Sequence, residues 1–282
     1  MEIKYTIINS AVNYVNPKPM NKEVLVIIHN AGHFSNCTIG LQDIMGYYNK
    51  NKRLPDEIDR SAQWINYKGV PSDRPDLVYF DIKDEPVMLP PVIDTPYVYD
   101  CMAFQFQPYR NIKFEQVLPL VNKYYSPSKK VLDILSMYEN KYNLDYNNLC
   151  AVFYRGNDKV TEMNVSPYDY FINKAREVKA ANPNIKFLVQ PDETEFLNAF
   201  LSAFPDSIHF TETPHLSKMM SAVFFETKLA DRMEYGAKFL AATLTLSKCN
   251  TLITHSGNCG LWATLYRGSA NNVHQIFNNE WI

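Results

Sequence analysis

Short apolar runs alternate with amphipathic stretches along most of this chain, and that rhythm predicts an α/β protein. Val24 to Ile28 is a continuous apolar run of strand length. It passes through the glycine-containing segment 30–37 into a helix expected over 38–50, with Ile39, Ile44, Met45 and Tyr48 turned to the core. A second strand is expected over 76–82. Residues 83–111 are rich in proline and aromatics without a period and read as a long connection, while 1–20 reads as an irregular arm ending in Pro17-Lys18-Pro19. Helices are expected over 114–125 and again after Ser126-Pro127-Ser128, where Val131, Leu132, Leu135 and Tyr138 make an apolar stripe. From there strands are expected over 149–154, 185–190, 208–210, 251–254 and 273–277. The helices between them are expected over 166–181, 193–204, 232–247 and 258–266, the first of them capped by Ser166-Pro167. That succession predicts a doubly wound parallel sheet. The lobe boundary falls near residue 125, giving a first lobe over 1–125 and a second, nucleotide-binding lobe over 126–282.

Open parallel sheets hold ligands at the carboxyl ends of their strands, so the loops at 30–37, 154–165, 190–193 and 254–258 are the candidate site. The richest is Tyr154-Arg155-Gly156-Asn157-Asp158-Lys159-Val160-Thr161-Glu162. Arg155 and Lys159 could neutralise a diphosphate, one as a planar fork and the other as a point charge, with Asp158 orienting Arg155. Glu162 is a carboxylate within reach that could act as a general base. A solvated, charged loop tip is the competing reading. In Thr254-His255-Ser256-Gly257-Asn258 the small residues and a helix start favour an anion, or Ser256 and Asn258 simply cap the helix. His255 and Ser256 are adjacent on a strand end and point apart; no G-x-S-x-G motif occurs, and a Ser-His hydrolase is disfavoured. Gly32-His33-Phe34-Ser35-Asn36 contains one glycine and is neither a dinucleotide fingerprint nor a phosphate loop. Asp192, in Gln190-Pro191-Asp192-Glu193, reads first as a helix cap.

Composition narrows the classes. The 282 residues suffice for two lobes, and 46% apolar with 21% charged residues is ordinary for a globular core. A net charge of −2 offers no basic field for nucleic acid or an anionic membrane. The five cysteines, Cys37, Cys101, Cys150, Cys249 and Cys259, form no C-x-x-C pair and read as reduced core thiols. No histidine lies at zinc-ligand spacing with them, so no metal is expected. The longest early apolar run is too short for a signal-peptide core or a membrane span, so either a cytoplasmic protein is expected or one whose anchor lies outside this sequence.

Taken in order, these segments resemble the fucosyltransferase superfamily of α1,6-fucosyltransferases, nodulation fucosyltransferases and protein O-fucosyltransferases. The family's first motif, His-x-Arg-Arg-x-Asp-Lys-Val followed by an acidic residue, is matched by Phe153-Tyr154-Arg155-Gly156-Asn157-Asp158-Lys159-Val160-Thr161-Glu162. Phe187 to Glu193 resembles its second motif and Leu246 to Asn258 its third. The resemblance covers about 114–266. It departs from the family at Phe153, in place of the histidine, at Gly156, in place of the second arginine, and at Ala242-Thr243, in place of an aspartate. Glu162 stands one residue nearer the motif than in the family.

The resemblance implies a GT-B arrangement, two Rossmann-like lobes with parallel sheets facing across a cleft. It implies inverting, metal-independent transfer from GDP-fucose to a glycan or protein hydroxyl, with the nucleotide sugar as co-substrate and no other cofactor. Arg155 and Lys159 would hold the departing phosphate and Glu162 would be the base. Ser256, Gly257 and Asn258 would contact the donor in the second lobe, with Tyr154, Asp158, Asp192 and His255 beside them. Gly32, His33, Phe34, Ser35 and Asn36 would approach it from the first. Two alternatives stay open: the same fold with another donor, such as xylose or rhamnose on GDP or UDP, and a non-catalytic nucleotide-sugar or glycan binder.

Overall fold

The computed structural model describes residues 22–94, 101–213, 215–217, 228 and 231–282. The expected arm over 1–20 and the Cys101 side chain lie outside what is described.

The first lobe opens with Val24–Val26 (β1), His33–Asn51 (α1) and Glu57–Asp59 (β2), and β1 and β2 pair in parallel. Residues 30–37 were expected as a loop. Instead Gly32 is the N-terminal cap of α1 in an extended conformation, and Asn36 N–H already bonds Gly32 O at 3.0 Å. His33 and Phe34 are core residues, and their burial carries the helix a turn further back than its small and polar letters suggest. The strand expected over 76–82 is mostly a helix. Pro75 starts Pro75–Tyr79 (α2) at its first turn, where a missing N–H costs nothing, and only Phe80–Asp81 (β3) is extended. Within the connection 83–111 lies Cys101–Phe106 (α3). Phe114–Tyr124 (α4) follows as expected, then Ser126–Pro127 (β4) and Lys129–Tyr142 (α5). Ser128 caps α5, accepting from Val131 N–H at 3.4 Å. The lobe boundary expected near 125 is crossed at once, because β4 pairs antiparallel with β3.

In the second lobe Leu149–Phe153 (β5), Lys186–Val189 (β6), Thr251–His255 (β7), Val273–Phe277 (β8) and Glu280–Trp281 (β9) form one sheet in the order β6-β5-β7-β8-β9. All its pairings are parallel except that of β8 with β9. Residues 208–210 make only an isolated bridge from Ile208 to Leu188. Tyr168–Ala181 (α6), Thr194–Ala203 (α7), Arg232–Lys248 (α8) and Asn258–Arg267 (α9) cover the sheet. Ser166 does not cap α6: its hydroxyl has no partner among the described residues, and Pro167 stands at the cap position.

Period-2 alternation splits each central strand between two cores. Cys150, Val152, Phe187, Val189 and Ile253 face α6 and α7. Ala151, Phe153, Leu188 and Leu252 face a larger core that also contains Ile27, Phe34 and Ile44 of the first lobe. The two lobes therefore share one hydrophobic interior. No described helix is long and apolar enough to cross a membrane.

Candidate active site

The chain leaves β5 for β6 on one side and returns to β7 on the other, so strand order reverses between β5 and β7. A crevice opens at the carboxyl ends of strands at such a point. The loop 154–162 leaves β5 there and the turn 255–258 leaves β7 there. A hydrogen bond ties them: the Arg155 backbone N–H donates to the His255 side chain at Nδ1, at 3.4 Å.

Arg155 is the hub. Its Nε donates to Asp192 Oδ2 at 2.7 Å, Nη2 to Asp158 Oδ1 at 2.6 Å, and Nη1 to Cys259 Sγ at 2.9 Å. Burial works against the guanidinium's charge, but the facing carboxylates of Asp158 and Asp192 hold its pKa well above the usual value. Burial also pushes on Asp158, where the Arg155 charge wins and holds the carboxyl below its usual range. Asp192 is only 5% exposed, and burial drives its carboxyl upward against the pull of Arg155 and Gly156 N–H. Asp192 was expected to cap α7. It turns away instead, accepting from Gly156 N–H at 2.8 Å, while its carbonyl accepts from Asn157 Nδ2 at 2.7 Å.

Lys159 is 6% exposed and forms a tight ion pair with Glu162, itself the more open partner at 31% of its side-chain surface. Its ammonium also donates to Gln105 Oε1 at 3.2 Å. A Cβ at Gly257 would lie 2.9 Å from Lys159 Cε, so the lysine packs directly over the turn before α9. Gly257 sits at φ +147, a conformation that suits glycine.

The structure separates the remaining expected residues. Asn258 faces the first lobe, its Oδ1 accepting from Thr38 Oγ1 at 2.6 Å. Ser256 accepts from Gln275 Nε2 at 2.7 Å and is fully buried, so neither Ser256 nor Asn258 caps α9. The Tyr154 ring stacks on Phe196 at 4.0 Å in the core under α6 and α7, away from the crevice. Gly32 faces open space and Ser35 is half-buried. Phe34 lies in the core, and Asn36 bonds back to the Ala31 backbone. His33 is enclosed by Phe34, Trp64, Tyr67, Tyr79, Phe80 and Phe239. Of the first-lobe segment, Gly32 and Ser35 are the positions that can meet a ligand; His33, Phe34 and Asn36 support the fold.

Burial lowers the His33 pKa to about 3; burial, with Lys159 and Arg155, lowers that of His255 to about 3. Both are neutral when folded, whereas in the unfolded chain they titrate near ~6.5. Between these values the unfolded state binds more protons, so stability falls as pH falls, by about 1.4 kcal/mol per pH unit for each histidine. His33→Phe should remove one such increment from the dependence of unfolding free energy on pH between ~6 and ~5. An unchanged slope in urea titrations would contradict a buried neutral His33.

Sequence reasoning passed over Gln105, Tyr109 and Tyr235, and named Glu193 only as part of a motif, without a role of its own. Tyr235 lies close enough to Arg155 for that charge to lower its pKa against the larger effect of burial. Gln105 and Tyr109 lie in the aperiodic region 83–111 and carry no motif signal. Glu193 explains Gly156. A Cβ there would meet Glu193 Oε1 at 2.2 Å, beside a carboxylate that Tyr168 OH also binds at 2.7 Å. Gly156→Ala should therefore cost about 1–3 kcal/mol by overpacking, and Gly156→Arg more than that. Equal melting temperatures for Gly156→Ala and the unmutated chain would show that Glu193 yields freely.

No protein-family model matches the chain, and no curated protein matches it. Solved structures do. A NodZ α1,6-fucosyltransferase co-crystallised with GDP superposes with a TM-score of 0.57 at 14% identity, over 93% of this chain and 97% of that one. The Bradyrhizobium fucosyltransferase NodZ gives 0.54 at 13% identity, over 91% and 99%. An Arabidopsis thaliana FUT1 variant in complex with GDP gives 0.50 at 11% identity, over 95% and 72%. At these identities the likeness concerns architecture: the chain has the fold of the fucosyltransferase-like GT-B glycosyltransferases.

Proposed function

We propose that this protein is an inverting, metal-independent glycosyltransferase that passes fucose from GDP-fucose to a hydroxyl of a glycan or protein. The observation that carries the reading is the convergence of Arg155 and Lys159 on the 255–259 turn at the strand-order reversal. The fold is shared with fucosyltransferases that were crystallised with GDP.

Inverting transfer is a single displacement. The acceptor oxygen bonds to the anomeric carbon as the bond to the β-phosphate oxygen breaks, GDP departs, and the acceptor proton passes to a base. Charge grows on the departing diphosphate, where fixed cations in a partly dry crevice act strongly. Three of the five N–H groups of Arg155 are engaged by Asp192, Asp158 and Cys259, which leaves two more for a phosphate. Glu162 takes the base role. Phosphate oxygens that attract the Lys159 ammonium would loosen its pairing with Glu162 and free the carboxylate for the acceptor hydroxyl.

Calorimetric titration should give tighter binding of GDP than of UDP, by about tenfold or more. Tighter UDP binding would move the reading to another donor sugar. Transfer should persist in chelator; loss of turnover restored by manganese would refute metal independence. Glu162→Gln should bind GDP and lose turnover. An unmutated chain that binds GDP yet transfers nothing across a screen of nucleotide sugars and acceptors would favour the non-catalytic binder.

A further inference from the structure

A segment of the first lobe grips both halves of the candidate donor site. The Gln105 side-chain oxygen, in a residue only 1% exposed, accepts from Lys159 Nζ at 3.2 Å and from Asn258 N–H at 2.9 Å. Its backbone carbonyl accepts from Gly257 N–H at 3.2 Å. One turn on, Tyr109 OH donates to Gly257 O at 2.9 Å and lies 3.0 Å from Gly257 N. The bracket is fastened at its far end, where Gln275 Oε1 accepts from Tyr109 N–H at 2.8 Å and Gln275 Nε2 donates to Gln107 O at 3.0 Å.

We propose that Gln105 is a positioning residue for a nucleoside diphosphate, fixing the Lys159 ammonium against the turn that opens α9; this deepens the donor reading above and rests on it. A lysine ammonium swings on a flexible stem, and ordering it costs rotamer entropy. Glu162 orders it at the expense of its charge. A neutral amide oxygen orders it and leaves the charge available to phosphate. The same oxygen takes the first N–H of α9, so one atom sets the distance between the cation and the positive end of a helix. A carboxylate in place of the amide would keep both hydrogen bonds and cancel the field.

The test measures GDP affinity and melting temperature for Gln105→Met, Gln105→Glu, Lys159→Met and the double variant Gln105→Met/Lys159→Met. Gln105→Met should weaken GDP binding by about tenfold in the unmutated background and by less than about twofold when Lys159 is already methionine, because the residue acts through the ammonium. Gln105→Glu should melt close to the unmutated protein and still bind GDP about tenfold more weakly, an effect that a merely structural role would not produce. Equal losses in both backgrounds, or unmutated affinity in Gln105→Glu, would overturn the proposal and leave the donor reading standing. Should Gln105→Met fail to fold, Gln105→Glu carries the same decision. No GDP binding by the unmutated chain would remove the donor reading, and this proposal with it.

Discussion

Arg155→Ala is expected to lower kcat for the proposed transfer from GDP-fucose by about 10²–10³, the loss of one preorganised charge-stabilising group. Its position argues for an effect at the upper end. The guanidinium spans two carboxylates and the Cys259 thiol, and no other described cation bonds to Asp158 or Asp192. Alanine would leave Asp192, 5% exposed, without its charge partner, and removing one member of a buried pair costs about 3–5 kcal/mol of stability. Two controls separate chemistry from folding. Arg155→Lys keeps a positive charge but cannot span both carboxylates, so it should restore part of the stability and little of the rate. Asp192→Asn combined with Arg155→Ala removes the stranded charge and should recover stability without recovering turnover. Near-normal turnover in folded Arg155→Ala would remove Arg155 from the reaction.

The second lobe was legible in the sequence because its elements obey local rules. Strands β5, β6 and β7 are short runs buried on both faces, β8 beside them is partly buried, and α6 to α9 begin and end close to the expected positions. The loop 154–162 and the turn 254–258 were legible as a pair because a parallel sheet puts both at one edge. The first lobe was not. Its β2 is three residues long with one buried side chain, and its main-chain pairing with β1 is set by tertiary contact rather than by pattern. His33 read as a loop residue because a histidine directly after a glycine, with a serine two residues on, is polar by letter; its burial comes from rings contributed by 64–80 and 239. The cations at 155 and 159 were singled out, and Asp158 with them, but not the partners that come from elsewhere in the chain. Asp192 lies 37 residues from Arg155 and Gln105 lies 54 from Lys159, so neither partner shows in a local window. The pairing of Lys159 with Glu162 is local, yet the two cations were read as available charges; the folded site holds each of them against a carboxylate that a diphosphate must compete with.

Trp262→Ala is expected to destabilise the whole chain by about 3–5 kcal/mol, and not the second lobe alone. Trp262 belongs to α9 and is fully buried. Its ring stacks on Phe34 of α1 at 6.2 Å and lies 4.8 Å from Tyr125, while its indole N–H donates to Thr38 Oγ1 at 2.9 Å. Truncation therefore opens a cavity between α1 and α9 and takes from Thr38 Oγ1 the indole N–H it accepts, while its bond to Asn258 Oδ1 stays. Because both lobes contribute to that one core, unfolding should remain a single transition in the unmutated chain and in the variant. Trp64 in the first lobe and Trp281 at the sheet edge survive the substitution and report on the two ends of the molecule. Urea midpoints read from their fluorescence and from far-UV circular dichroism should coincide and shift together. A loss below about 1 kcal/mol, or separate midpoints in the unmutated chain, would mean that the lobes fold independently. The crevice between β5 and β7 would then lose its rigid wall, since Asn258 reaches Thr38 through the same contact between α1 and α9.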